Sequence, residues 1–146
     1  VYNPLEFIKT LGGKMLKRIL VCLCVAAGLL LTGCKKDDQV KSVIKDLDAF
    51  TNELVQKIES GGIDEGQKYM DSKKADIKSK LDSIKDIREF QITDETKKFM
   101  TDSLTKNVTS VISLQMKYVS KSVADPAFKT KLEKLVSDYR ELLTMT

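Results

Sequence analysis

The chain has no histidine and no tryptophan. Without histidine it lacks the side chain that most often serves as a general base near neutral pH and most often ligates a metal. Only 2 prolines and 7 glycines punctuate 146 residues, and aromatic residues make up 6%. So few breakers, beside abundant Lys, Asp, Ser and Leu, favour helix over sheet. No glycine-rich loop follows a strand-like run, so no phosphate cradle is indicated. Nor do arginines alternate with aromatics, the pattern on which single-stranded nucleic acid stacks. Three cysteines are present, Cys22, Cys24 and Cys34, and all precede the polar part of the chain. The C-x-C pair has no second half to complete a metal or redox site.

Charge of one sign is also missing once the chain is divided at Cys34. Lys9, Lys14, Lys17, Arg18 and Glu6 precede it, so of 25 basic and 21 acidic side chains, 21 and 20 remain from Cys34 onward. That part is nearly neutral and densely charged with both signs. The sequence pI of about 8.9 therefore gives no reason to expect nucleic-acid binding.

What the chain does have is a short apolar run of 13 residues, Ile19 to Leu31, placed after Met15, Lys17 and Arg18. It closes on Leu31-Thr32-Gly33-Cys34. A charged start, a greasy middle and small residues before a cysteine make an export signal rather than a folding element. A bilayer-spanning helix would need about 20 apolar residues. Gly33 adds little bulk beside the residue that follows, and Leu31 offers an apolar handle three positions before Cys34. This tetrapeptide resembles the lipobox of bacterial lipoproteins. The resemblance covers Lys17 to Cys34. It implies that the Cys34 thiol receives diacylglycerol, that signal peptidase II cuts before Cys34, and that the freed amine is acylated by a fatty acid such as palmitate.

On that reading residues 15–33 are the signal peptide. Cys22 and Cys24 leave with it, so Cys34 becomes the sole cysteine and no disulfide forms within one molecule. Residues 34–39 are expected to be a polar, lipidated tether, reaching under about 20 Å at roughly 3.3 Å per residue. Lys35 rather than Asp at the second mature position resembles the enteric pattern that sorts lipoproteins to the outer membrane, facing the periplasm. Residues 1–14 (VYNPLEFIKTLGGK) fit no part of a signal. Initiation inserts methionine, so Met15 is the expected start and residues 1–14 a non-native extension; the alternative is a long cytoplasmic extension removed with the signal.

The remainder, residues 40–146, has the length of one domain and reads as an all-α, four-helix up-and-down bundle. In the first helix, from about Asp38 to Ser60, Val40, Val43, Ile44, Leu47, Phe50, Leu54 and Ile58 recur at steps of three and four. They cover an arc of about 120°, and Gly61-Gly62 ends the helix. The second helix is expected to start at Asp64, with Gln67 completing a capping box. Its stripe of Met70, Ile77, Leu81, Ile84 and Ile87 is thin, with Lys73 and Lys74 where an apolar residue was due. This suggests a helix at the bundle's edge. Phe90 and Ile92 read as an extended link that packs inward. The third helix starts near Thr93, with Asp94 and Glu95 favourably placed against its positive end. Met100, Leu104, Val108, Val111 and Ile112 form its stripe. Ile112 to Tyr118 also alternates like a strand, but a lone strand would have no partner in this chain. Asp125-Pro126 announces the fourth helix, with Phe128, Leu132, Leu135, Val136, Tyr139, Leu142 and Leu143 on one face. The competing architecture is a three-helix core with the second helix loosely attached.

No catalytic, metal-ligating or cofactor-binding residues are expected, and enzymatic activity is not. The carboxylate pairs Asp37-Asp38 and Asp94-Glu95 read as a solvated tether and a helix N-terminus. Asn107-Val108-Thr109 matches a glycosylation sequon that a bacterial lipoprotein has little reason to use. From Val108 to Val119, however, the third helix is apolar over about 200° of its wheel. Either it is more central than its neighbours, or Leu114, Met116 and Tyr118 dock a partner, for which methionine is well suited. The function expected is a non-catalytic interaction module, held to a membrane through lipid on Cys34, that binds another envelope protein. A pilotin-like escort of an outer-membrane protein is one version, by analogy of layout alone. Carriage of a small apolar ligand in the bundle core is the alternative.

Overall fold

The computed structural model describes residues 34–144, with side chains from Lys36. Leu31, Thr32 and Gly33 of the expected lipobox, the rest of the expected signal peptide and residues 1–14 lie outside the described residues. Five helices are present among the described residues: α1 (Cys34–Gly61), α2 (Ile63–Asp82), α3 (Asp94–Lys117), α4 (Val119–Ala124) and α5 (Pro126–Leu143), with a 3-10 turn at Glu89–Gln91. Among the described residues there is no strand, and no helix is long and apolar enough to cross a membrane.

Three expectations about the ends of elements meet different fates. Gly62 takes φ 84° between α1 and α2, a conformation that glycine adopts without steric cost. Asp125 caps α5, its Oδ1 accepting from the amides of Ala127 and Phe128 at 3.0 Å each. The capping box at Asp64 does not form. The residue before α2 is Gly62, with no side-chain cap, and Asp64 instead accepts from Lys131 at 2.6 Å. Gln67 donates to Asp71 and Asp138. An inter-helix cation on Asp64 and two carboxylates on Gln67 outcompete the local cap.

The expected tether is helical. α1 begins at Cys34, and Asp37 is buried, its carboxylate accepting from the amide and hydroxyl of Thr93 at 2.8 and 2.9 Å. The Asp37-Asp38 pair is therefore not a solvated spacer, because Asp37 ties the first turn of α1 to the start of α3.

All seven apolar residues of the α1 stripe and all seven of the α5 stripe are buried. At the centre the Phe50 ring lies parallel to that of Tyr139 at 6.3 Å and stacks on Tyr69 at 5.6 Å. The Thr51 hydroxyl donates to the Leu47 carbonyl. Its single proton is thereby used, so the buried Tyr139 hydroxyl donates to Thr51 Oγ1, 2.7 Å away.

Contacts along the helices fix their directions. Asp46–Lys80 and Glu53–Tyr69 set α1 antiparallel to α2. Asp37–Thr93, Lys41–Glu95 and Glu59–Lys117 set α1 parallel to α3. Asp64–Lys131 and Lys74–Glu141 set α2 parallel to α5. The four long helices alternate up and down along the chain, and around the bundle they run α1, α2, α5, α3. In an up-and-down ring taken in chain order every neighbouring pair would be antiparallel. Here two pairs are parallel, and residues 83–93 cross one end of the bundle to carry the chain from α2 to α3. α2 is not a loose edge helix, since it packs against both α1 and α5. Lys74, which interrupts its apolar stripe, bridges to Asp138 and Glu141 on α5.

Candidate functional site

α3 is the helix whose reading changes most. Its fully buried side chains are Thr96, Ser103, Asn107, Val111 and Leu114. Phe99, Met100, Leu104 and Val108 are only half-buried against the core. The seam with α1 is polar: Asp48 accepts from Asn107 Nδ2 at 2.6 Å and from the Ser103 hydroxyl at 3.2 Å. Asn107 is thus committed inside the fold, which closes the sequon to glycosylation of the folded domain. The predicted stripe lies to one side of this seam, and only Val111 of its five members is fully buried.

The C-terminal end of α3 resolves the 200° apolar arc into two faces. Ile112 to Lys117 is helical, and the strand-like alternation is not expressed. Leu114 is 1% exposed and belongs to the core, while Met116 is 65% exposed. Residues two apart on a helix are about 160° apart on its wheel and cannot share a face. Leu114 therefore leaves the set of docking candidates, because its side chain fills the bundle. Tyr118 is half-buried, packed edge-on against Phe128 at 5.6 Å, so it too is largely a packing residue. Met116 alone of the three remains on the surface.

Beyond Tyr118 the chain makes a corner. Tyr118 at φ −103°, ψ 18° ends α3. α4 then stops at Ala124, because Asp125 must be extended ahead of Pro126, as its φ −130°, ψ 96° records. On this corner Val119 and Val123 are 56% and 81% exposed. With Met116 on the last turn of α3 they leave an exposed apolar stripe across the corner. Val119 and Val123 are not among the docking candidates read from the sequence; the apolar spacing past Tyr118 is the signal that could have marked them.

The corner's cations are engaged locally. Lys117 pairs with Glu59 of α1, whose carboxylate holds its ammonium above the ordinary lysine value. Lys121 sits over the Phe128 ring at 4.3 Å from its centroid, a cation–π contact. Beside it a shallow cleft of about 240 Å³ is lined by residues including Ile63, Asp125 and Phe128. Lys131 on its wall is paired with Asp64. Among the described residues no group of three or more cysteine, aspartate or glutamate side chains is placed to hold a metal ion. Asp94 and Glu95 stand at the start of α3, paired with Lys97 and Lys41.

The corner lies far from Cys34. α1 is 28 residues long, about 40 Å at 1.5 Å per residue. α3 runs parallel to it, so Met116, Val119 and Val123 stand at the end opposite the start of α1. Comparison with protein-family models, with curated proteins and with solved structures finds no match to this chain.

Proposed function

We propose that the chain is the precursor of a lipid-anchored envelope protein whose helical bundle is a non-catalytic interaction module. The anchor rests on the lipobox-like Leu31-Thr32-Gly33-Cys34, and the outer membrane facing the periplasm is the location its second mature residue, Lys35, favours. The observation that carries the module is the exposed stripe of Met116, Val119 and Val123, about 40 Å along the bundle from Cys34. A lipid at one end and an apolar stripe at the other suit a protein that stands on a membrane and presents its far end to a second envelope protein. A pilotin-like escort role is one form of this. Carriage of an apolar ligand inside the bundle would require the Phe50, Thr51 and Tyr139 centre to open.

The test has two arms. The intact mass of the N-terminal residue from membranes should show acylated Cys34, and Cys34→Ala should release the protein to the soluble fraction. A combined Met116→Ser, Val119→Ser, Val123→Ser variant should keep its helical circular dichroism while losing its crosslinks to envelope proteins. Retained crosslinks would sink the docking role. Leu114→Ala is the contrast: it should cost roughly 2–5 kcal/mol of stability, as truncation of a buried leucine does.

A further inference from the structure

At the end of the bundle where α1 begins, one large apolar side chain is left outside. The connection from α2 to α3 tucks Ile84 into the core and half-buries Ile87 and Ile92, but Phe90 is 67% exposed. The inward packing expected for Phe90 fails because the 3-10 turn Glu89–Gln91 lifts it out of the extended path. This connection is strapped to the first turns of α1. Gln39 Nε2 donates to the Ser83 carbonyl at 3.2 Å, and the Thr93 amide donates to Asp37 at 2.8 Å. Asp37 is one helical turn from Cys34, about 5 Å along the axis.

We propose that Phe90 enters the interfacial region of the bilayer as a second contact beside the lipidated Cys34. This rests on the anchoring reading above. Because α1 is helical from Cys34 onward, no extended spacer separates an acylated cysteine from the fold. Acyl chains in the membrane then bring this end of the bundle against the headgroups, and a Phe carried on it meets lipid rather than water. Apolar side chains of surface-bound segments enter that boundary by about 5–10 Å, within reach of a side chain on this connection. One phenylalanine binds weakly alone, but the tether makes its insertion an intramolecular step. The neighbouring charges, Lys85 and Arg88 against Asp86 and Glu89, balance in sign, so a neutral bilayer suffices. The occupant is a lipid surface.

The chain contains no tryptophan, so Phe90→Trp supplies a single reporter at an exposed position. The full-length lipidated protein, extracted from membranes, is reconstituted into phosphatidylcholine vesicles with brominated acyl chains. The Phe90→Trp variant should shift its emission to the blue and lose most of it to bromine. Met116→Trp, at the far end, should keep both its maximum and its intensity. Unquenched emission from Phe90→Trp in a sample whose mass shows acylated Cys34 overturns the proposal and leaves the anchor standing. A mass without acyl groups overturns the anchoring reading and this proposal with it. A blue shift without lipid that grows with protein concentration would assign Phe90 to a contact between two copies, and also overturns it.

Discussion

Glycine in a helix is ordinarily a weakness, and replacing it with alanine in an exposed position gains about 1 kcal/mol. Gly66 of α2 is the opposite case. A Cβ there would lie 2.2 Å from Ile58 Cγ1 and 3.4 Å from Leu135 Cδ1, so the missing side chain is what lets α1, α2 and α5 close on one another. We expect Gly66→Ala to lower stability by about 1–3 kcal/mol, the range for overpacked cores, measured by urea unfolding. A gain instead would mean that the helices part without cost. Asp37 carries a second prediction. The Thr96 hydroxyl and the Thr93 amide hold its carboxyl below the usual carboxylate range, with the Thr93 hydroxyl adding to them. A carboxylate with a depressed folded value contributes stability that is present above its unfolded value of about 4 and is lost as pH falls through the folded one. The stability gap between the native protein and Asp37→Asn should therefore be widest at neutral pH and close in acid. Urea titrations at both ends of that range check it.

α3 differs from the other long helices in how it is held. α1 and α5 each bury a continuous apolar stripe, whereas 24-residue α3 fully buries only Val111 and Leu114 among its apolar side chains, leaves Phe99, Met100, Leu104 and Val108 half-buried, and meets α1 largely through polar contacts of Asp37, Asp48, Ser103 and Asn107 and the pairs Lys41–Glu95 and Glu59–Lys117. Elements with few buried apolar contacts open at lower free energy than the molecule as a whole. Amide exchange in residues 96–110 should accordingly run faster than in residues 43–54 or 132–142, under conditions where the whole fold does not open. Equal protection would show that the polar seam is as strong as the apolar one. The same contrast explains what could be read beforehand. The stripes of α1 and α5 were legible because their burial is apolar and periodic. On α3 the buried positions are Thr96, Ser103 and Asn107, which an apolar pattern cannot mark, so the stripe was placed to one side of its true face. The cap expected at Asp64 failed for a related reason, since Lys131 comes from a helix distant in sequence. Of the docking candidates, Met116 is exposed, Tyr118 half-buried and Leu114 buried, although the wheel already sets Leu114 and Met116 on different faces. The position of Phe90 and the path of residues 83–93 depend on the order of helices around the bundle, which local sequence does not encode.

At the scale of the whole molecule, both signs of charge are spread over the surface and paired, as in Lys98–Asp102 and Lys68–Glu65. Such exposed pairs contribute about 0–1 kcal/mol each at most, so the apolar centre carries the stability. We expect the urea midpoint to move by the equivalent of less than about 1 kcal/mol between low salt and 1 M NaCl, where screening acts over about 3 Å. A larger fall would transfer the stability to the ion pairs. The parallel pairing of α1 with α3 has a mechanical side. If the molecule is held at the start of α1 and loaded at the corner after α3, the two helices are drawn past each other lengthwise. Asp37, Lys41, Asp48 and Glu59 then take the strain together instead of parting one after another. A bundle strung this way resists a tug as a rivetted lap joint does, and a partner that pulls on its free tip strains every fastening along the seam before any one of them lets go.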